Sequence, residues 1–126
     1  MIKYFRVLRR KNDVTREQFA QHWKEIQGPL FVSKCNVPGL RKYIQNHPID
    51  AGPEFEHDID CLLEIWFDDV KSAQAFLQWS KTEDGKACVE DEKPFLDSER
   101  SPHLLSREHI VFDTKEQRAR YLQPAA

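Results

Sequence analysis

The chain has no surplus of either charge. Its 126 residues include 19 Lys and Arg against 21 Asp and Glu, a net charge of −2. Phosphate binding needs a basic excess on one face, so nucleic acid is not an expected partner. The one basic cluster, Arg6, Arg9, Arg10 and Lys11, reads as a solvated strand end. No apolar run approaches the roughly 20 residues that span a bilayer, so no membrane partner is expected either. Lys3, Arg6, Arg9 and Arg10 break up the first apolar positions, which removes a signal-peptide core. Cysteine is scarce: Cys35, Cys61 and Cys88 are odd in number and fit no metal or redox spacing. Three free thiols in a reducing cytoplasm are the expectation. A serine elbow, a phosphate loop and a dinucleotide fingerprint are all lacking. His57-x-x-x-Cys61 finds no third or fourth ligand, so no metal is expected.

Hydrophobic periodicity supplies the elements. Ile2 to Leu8 alternates and predicts a first strand, followed by an Asn12-Asp13 turn. Thr15-Arg16-Glu17-Gln18 matches a capping box. Phe19, Trp23 and Ile26 then repeat at helical spacing. Gln27-Gly28-Pro29-Leu30 predicts a break, with a short helical piece at residues 30–36. Leu40 to His47 predicts a second strand that carries Tyr43, Gln45 and His47 on one face. Residues 59–67 predict a third strand, apolar on both faces apart from Glu64. Asp68-Asp69 caps a second helix with Val70, Ala73, Phe76 and Leu77 on one stripe. Glu83 to Asp97 reads as charged and irregular, Leu104 to Phe112 as the last strand, and 114–126 as a polar tail, helical at first.

The order strand, helix, strand, strand, helix, strand predicts an α+β domain over residues 1–113. It is a four-stranded antiparallel sheet with both helices on one face. The two-sided third strand makes the other face apolar enough to need a cover. A second copy is the simplest one, giving a homodimer shaped as a closed α/β barrel.

The chain at this point resembles the EthD family of the dimeric alpha-beta barrel superfamily. Carrying the likeness are Thr15-x-x-Gln-Phe-x-x-x-Trp23, Gln27-Gly-Pro-Leu30 and Leu40-x-x-Tyr43-x-Gln45-Asn46-His47-Pro48. Leu63-Glu64-Ile65-Trp66-Phe67-Asp68-Asp69 and Asp91-x-x-x-Phe95 extend it, so that it spans about residues 2–113. The resemblance implies a ferredoxin-like βαββαβ protomer, a homodimer and a pocket between helices and sheet. It also implies small cofactor-free enzymes acting on lactones or polyketide-like rings, or accessory proteins of degradation operons. The family usually places a histidine where this chain has Gln27. Glutamine can orient a carbonyl or hydroxyl but cannot take a proton near neutral pH. His22 is a poor substitute, about 140° away around the helix.

Candidate site residues follow from both readings. Tyr43 can donate to a carbonyl oxygen or a developing enolate, against the alternative of a plain core aromatic. His47 shares its strand face and can move a proton, against that of a strand-end surface histidine. Glu64, among apolar neighbours, would have a raised pKa if unpaired, but pairing across a dimer or with Arg6 competes. Trp23, Trp66 and Phe19 are candidates to pack on a flat ring, with simple core packing as the alternative. Gln45, on the Tyr43 face, and His109, in the predicted last strand, complete the set of pocket candidates. Asp91 is read as a turn cap bracing the pocket edge.

The expected function is a cytoplasmic, cofactor-free lyase or isomerase acting on a small carbonyl-containing ring. Tyr43 and Gln27 would hold the oxygen, and His47 or Glu64 would move the proton. A non-catalytic ligand-binding protein of a degradation pathway is the second reading. A cofactor-independent oxygenase is the third.

Overall fold

The computed structural model describes residues 1–123. Strands β1 (Ile2–Leu8), β2 (Leu40–Asn46), β3 (Cys61–Phe67) and β4 (His103–Arg107) form one antiparallel sheet in the order β2-β3-β1-β4. Register decides what each face carries. Ile65 pairs with both Tyr4 and Tyr43, and Leu63 with both Arg6 and Gln45, so these six side chains share one face. His103 joins them opposite Arg6. The other face carries Phe5, Ile44, Glu64 and Leu104 in one row, and Lys3, Lys42 and Trp66 in the next.

The helices cover the first face. Helix α1 (Arg16–His22) opens on the expected capping box: the Thr15 hydroxyl accepts from the Gln18 amide, and the Gln18 side chain accepts from the Thr15 amide. The chain does not break at Gly28-Pro29. A π-helical turn, Trp23–Gln27, runs on into α2 (Gly28–Lys34). The wider turn reconciles the helix with the proline. Pro29 has no N–H and its ring crowds the carbonyl four residues back. The Gly28 amide reaches five residues back, to the Trp23 carbonyl, which opens the space.

Helix α3 (Val70–Trp79) starts at Asp69, whose side chain accepts from the Ser72 amide. The charged segment is not irregular: Glu83–Glu92 forms helix α4, capped by Thr82. Gly85 is a point of close approach, because a Cβ there would lie 2.2 Å from the Trp79 carbonyl oxygen. The last strand is shorter than expected. Its partner β1 begins at Ile2, which already pairs with Arg107, and the pairing ends where the Glu108 amide donates to the Met1 carbonyl at 3.5 Å. His109 therefore follows the strand and is exposed. Beyond it lies α5 (Lys115–Leu122), capped by Thr114.

Leu8, Phe19, Trp23, Cys61, Ile65 and Phe67 form the fully buried centre between sheet and helices. Cys35 is half-buried, Cys61 and Cys88 are buried, and all three are free thiols. Among the described residues no helix is long and apolar enough to cross a membrane.

Candidate functional site

A cavity of about 200 Å³ lies between the sheet and the helices. Strand side chains Tyr4, Arg6, Tyr43, Leu63, Ile65 and His103 form its floor. Trp23 and Gln27 enter from the π turn, Phe31 from α2, Phe76 and Trp79 from α3, and Cys88, Val89 and Glu92 from α4. Aromatic rings wall it: Phe31 stacks on Tyr43 with centroids 4.6 Å apart and meets Trp79 edge-on at 5.5 Å.

Tyr43 is held from behind. Gln45 Nε2 donates to its hydroxyl at 3.0 Å and to the Trp23 carbonyl at 2.9 Å. With that amide nitrogen so engaged, Gln45 Oε1 accepts, and the His47 Nε2 at 2.9 Å carries the proton. Accepting from Gln45 leaves the phenol proton for a ligand. Burial raises the Tyr43 pKa to about 12, against the lowering effect of the Gln45 hydrogen bond. The phenol therefore stays protonated across the physiological range.

His47 does not line the cavity. It stands behind Gln45 with its Nδ1 buried and unpartnered. Burial, then the charge of Lys24, lowers its pKa, which favours the neutral ring. Phe19 is fully buried behind Trp23, stacked at 4.1 Å, and does not reach the cavity either.

Gln27 is 3% exposed and lines the cavity. Its Nε2 donates to Glu92 Oε1 at 3.2 Å, and its Oε1 is buried without a partner. The group it offers is thus an acceptor, suited to a ligand hydroxyl.

The structure does not bring Glu64 and Trp66 to this site. Both point from the opposite face of the sheet, because β3 alternates about Leu63 and Ile65. Glu64 pairs with Lys3 at 3.5 Å and accepts from the Trp66 indole and from Asn46. Burial pushes its carboxyl up, but these hydrogen bonds and the Lys3 charge outweigh it, so the pKa is lowered rather than raised. Trp66 lies between Lys3 and Lys42, whose ammonium groups stand 4.1 and 4.2 Å from its ring. His109, beyond the end of β4, is also outside the cavity.

Two charged groups of the cavity were not among the candidates. Arg6 Nη1 lies 3.3 Å from Glu92 Oε2, and Arg6 Nε donates to the Ser101 carbonyl. Burial raises the Glu92 pKa, and Arg6 opposes the shift. Each carried a signal. Arg6 is the charged residue on the inward face of a strand whose other inward positions are Ile2, Tyr4 and Leu8. Gly85, Cys88, Val89 and Glu92 make a small stripe at helical spacing, hidden among Glu83, Asp84, Lys86, Glu90, Asp91 and Lys93. Asp91 points away from the cavity lining, to His22 Nε2 at 2.8 Å, and ties α4 to α1; the His22 ring stacks on Phe95 at 3.9 Å.

The fold that encloses this cavity, helices over one face of a four-stranded sheet, has counterparts. The family model for the EthD domain matches residues 11–99, and the chain belongs to that family. Among solved structures it is similar to an ethyl tert-butyl ether d (ethd) family protein from Bacillus halodurans. That likeness has a TM-score of 0.62 and 24% identity, covering 86% of this chain and 100% of that one. It is also similar to a dimeric protein of unknown function with a ferredoxin-like fold from Bacteroides fragilis. There the TM-score is 0.62 at 10% identity, over 85% of this chain and 95% of that one. A third likeness is to SnoaB, a cofactor-independent oxygenase from Streptomyces nogalater. It has a TM-score of 0.56 and 11% identity, over 86% of this chain and 93% of that one. These likenesses show the fold, which is α+β and ferredoxin-like. No functionally curated protein matches the chain.

Proposed function

We propose that this protein is a cytoplasmic, homodimeric, cofactor-free lyase or isomerase that acts by proton transfer on a small carbonyl-containing ring. The observation that carries the reading is the Tyr43 hydroxyl. It sits in an aromatic-walled cavity, and Gln45 occupies its acceptor side. A ring carbonyl placed there accepts the phenol proton as a hydrogen bond, and that bond strengthens as the oxygen gains enolate charge. One such donor typically contributes about 100-fold or more in rate. Phe31, Trp79 and Trp23 supply flat apolar walls for the ring, and the Gln27 oxygen accepts from a ring hydroxyl. The protomer is taken as residues 1–113, with the bare sheet face supporting a second copy.

The test is a split between binding and turnover. Trp23 and Trp79 line the cavity, so their fluorescence reports the entry of 2-tetralone, an enolisable bicyclic ketone. Tyr43→Phe is expected to bind 2-tetralone within about threefold of wild type. Its exchange of the ketone α-protons in heavy water is expected to fall about 100-fold. Equal exchange in both proteins contradicts the role of Tyr43.

Gln27 favours a second reading, a ligand-binding accessory protein, because an amide cannot act as the base at the position where the family carries histidine. Tight binding of a ring compound with no exchange or mass change in any member of a panel would decide for it. A third reading, an oxygenase that uses its substrate as reductant, predicts oxygen consumption, which the other two do not.

A further inference from the structure

The Arg6–Glu92 pair occupies a wall shared by two hollows. On one side is the aromatic cavity. On the other is a surface groove of about 450 Å³, lined by Lys11, Lys93, Leu96, Asp97 and Glu99. Arg6, Val89 and Glu92 line both. The Glu92 side chain is 16% exposed, and each of its oxygens has one protein partner, Gln27 on Oε1 and Arg6 on Oε2. A carboxylate oxygen has two lone pairs, so each keeps one for a proton.

Glu64 lies across the sheet and His47 stands behind Gln45, so neither reaches a ring in the cavity. Cys88 is the other acidic group that α4 turns toward the cavity, and burial pushes its thiol up to about 11, which leaves it protonated at neutral pH. From β4 His103 also lines the cavity, bound through Nδ1 to the Tyr4 hydroxyl at 3.2 Å. Asp91 beside Glu92 and the groove residues Lys11, Lys93, Asp97 and Glu99 are the remaining charged groups around it.

We propose that Glu92 is the residue that moves the proton, taking it from a ring in the cavity and exchanging it with solvent through the outer groove. The assignment rests on the proton-transfer reading of the cavity. The carboxylate removes one proton from the carbon beside the carbonyl. The C–H electron pair becomes a C=C bond, and the carbonyl π pair moves to the oxygen held by Tyr43. Glu92 then returns the proton, either to the same carbon or to the far end of a conjugated double bond. The first is exchange and the second isomerisation, and neither needs a co-reactant. Arg6 is a positioning residue: it fixes the carboxylate at the shared wall.

The experiment follows α-angelica lactone, which exchanges and isomerises by this route, in heavy water across pH 4–9. Wild type is expected to show a rate that climbs with pH as Glu92 ionises. In Glu92→Gln the rate falls at least about 100-fold and the climb disappears. Glu92→Asp keeps a charge opposite Arg6 but withdraws the carboxylate by one methylene. It is expected to keep the wild-type melting temperature within a few degrees and still lose about tenfold or more in rate. A Glu92→Asp rate equal to wild type would mean that only the charge balance with Arg6 matters, which overturns the assignment. A pH dependence kept in Glu92→Gln and lost in His103→Gln would move the proton to His103 and overturn it as well. If Tyr43→Phe loses the exchange while Glu92→Gln keeps it, the cavity chemistry stands and this assignment falls. No exchange by the wild type removes both.

Discussion

One added methyl group, Gly28→Ala, tests whether Gln45 holds the Tyr43 hydroxyl. A Cβ at residue 28 would lie 2.9 Å from Gln45 Nε2 and 3.0 Å from the Trp23 carbonyl oxygen. The amide nitrogen has to retreat, and it gives up its bonds to Tyr43 and to Trp23 together. Two part-buried hydrogen bonds are worth about 2 kcal/mol at a typical 1 kcal/mol each. Replacing glycine by alanine in a helix returns about 1 kcal/mol. The net expectation is a loss of about 1 kcal/mol in urea unfolding. With Gln45→Ala already in place the clash with the amide is gone, and the same methyl becomes neutral or stabilising. The double-mutant cycle should therefore show a coupling of about 1–2 kcal/mol between positions 28 and 45. The same cost in both backgrounds would place the strain in the helix backbone, against the Trp23 carbonyl, rather than in the Gln45 amide.

The bare face of the sheet gives a second prediction. Leu104 is 56% exposed in one protomer and sits in a row with Phe5 and Ile44. Leu104→Glu should halve the sedimenting mass without unfolding the chain; a dimer unchanged by it would put the interface elsewhere. Alkaline stability gives a third. Burial raises Tyr4 and Tyr43 from 10 to about 12. A raised folded pKa means stability that is complete below about pH 10 and declines as pH rises toward 12. Tyr43→Phe should flatten part of that fall in urea titrations between those limits, and an unaltered slope would deny the burial effect. The thiols give a fourth. Burial pushes Cys61 up to about 12, so it should resist a thiol reagent until the chain unfolds, while half-buried Cys35 reacts first.

Much of the fold was legible because the sheet writes itself in alternation. Cys61, Leu63, Ile65 and Phe67 on one strand are buried at every second position, and Ile2, Tyr4 and Leu8 on another follow the same period with Arg6 between them. The apolar other side of β3 signalled a face in need of cover. Three readings failed for physical reasons. Proline after Gln27-Gly28 normally ends a helix, and the π turn that absorbs it has no sequence signature of its own. Helix α4 is so charged that its inward stripe is a minority of its residues, so Glu92 was hidden with it. The end of β4 depends on where β1 begins, which is a tertiary matter.

Legibility at the site divides by the same logic. Tyr43 and Gln45 share a strand face and are placed together, because period-2 alternation is local. Trp23 and Gln27, both from the π turn, also reach the cavity. Glu64 looked like an interior acid because its sequence neighbours are apolar, but it faces the opposite side and is paired with Lys3. Which of two apolar faces meets the helices is decided by the register of the whole sheet, and no window along one strand contains that information.

The most direct measurement is mass spectrometry of a panel of lactones and enolisable ring ketones incubated with the wild-type protein in heavy water. Deuterium uptake or a mass change is expected in at least one ring compound, lost in Tyr43→Phe. No change in any compound, alongside tight binding of one, would contradict it and leave a binding protein.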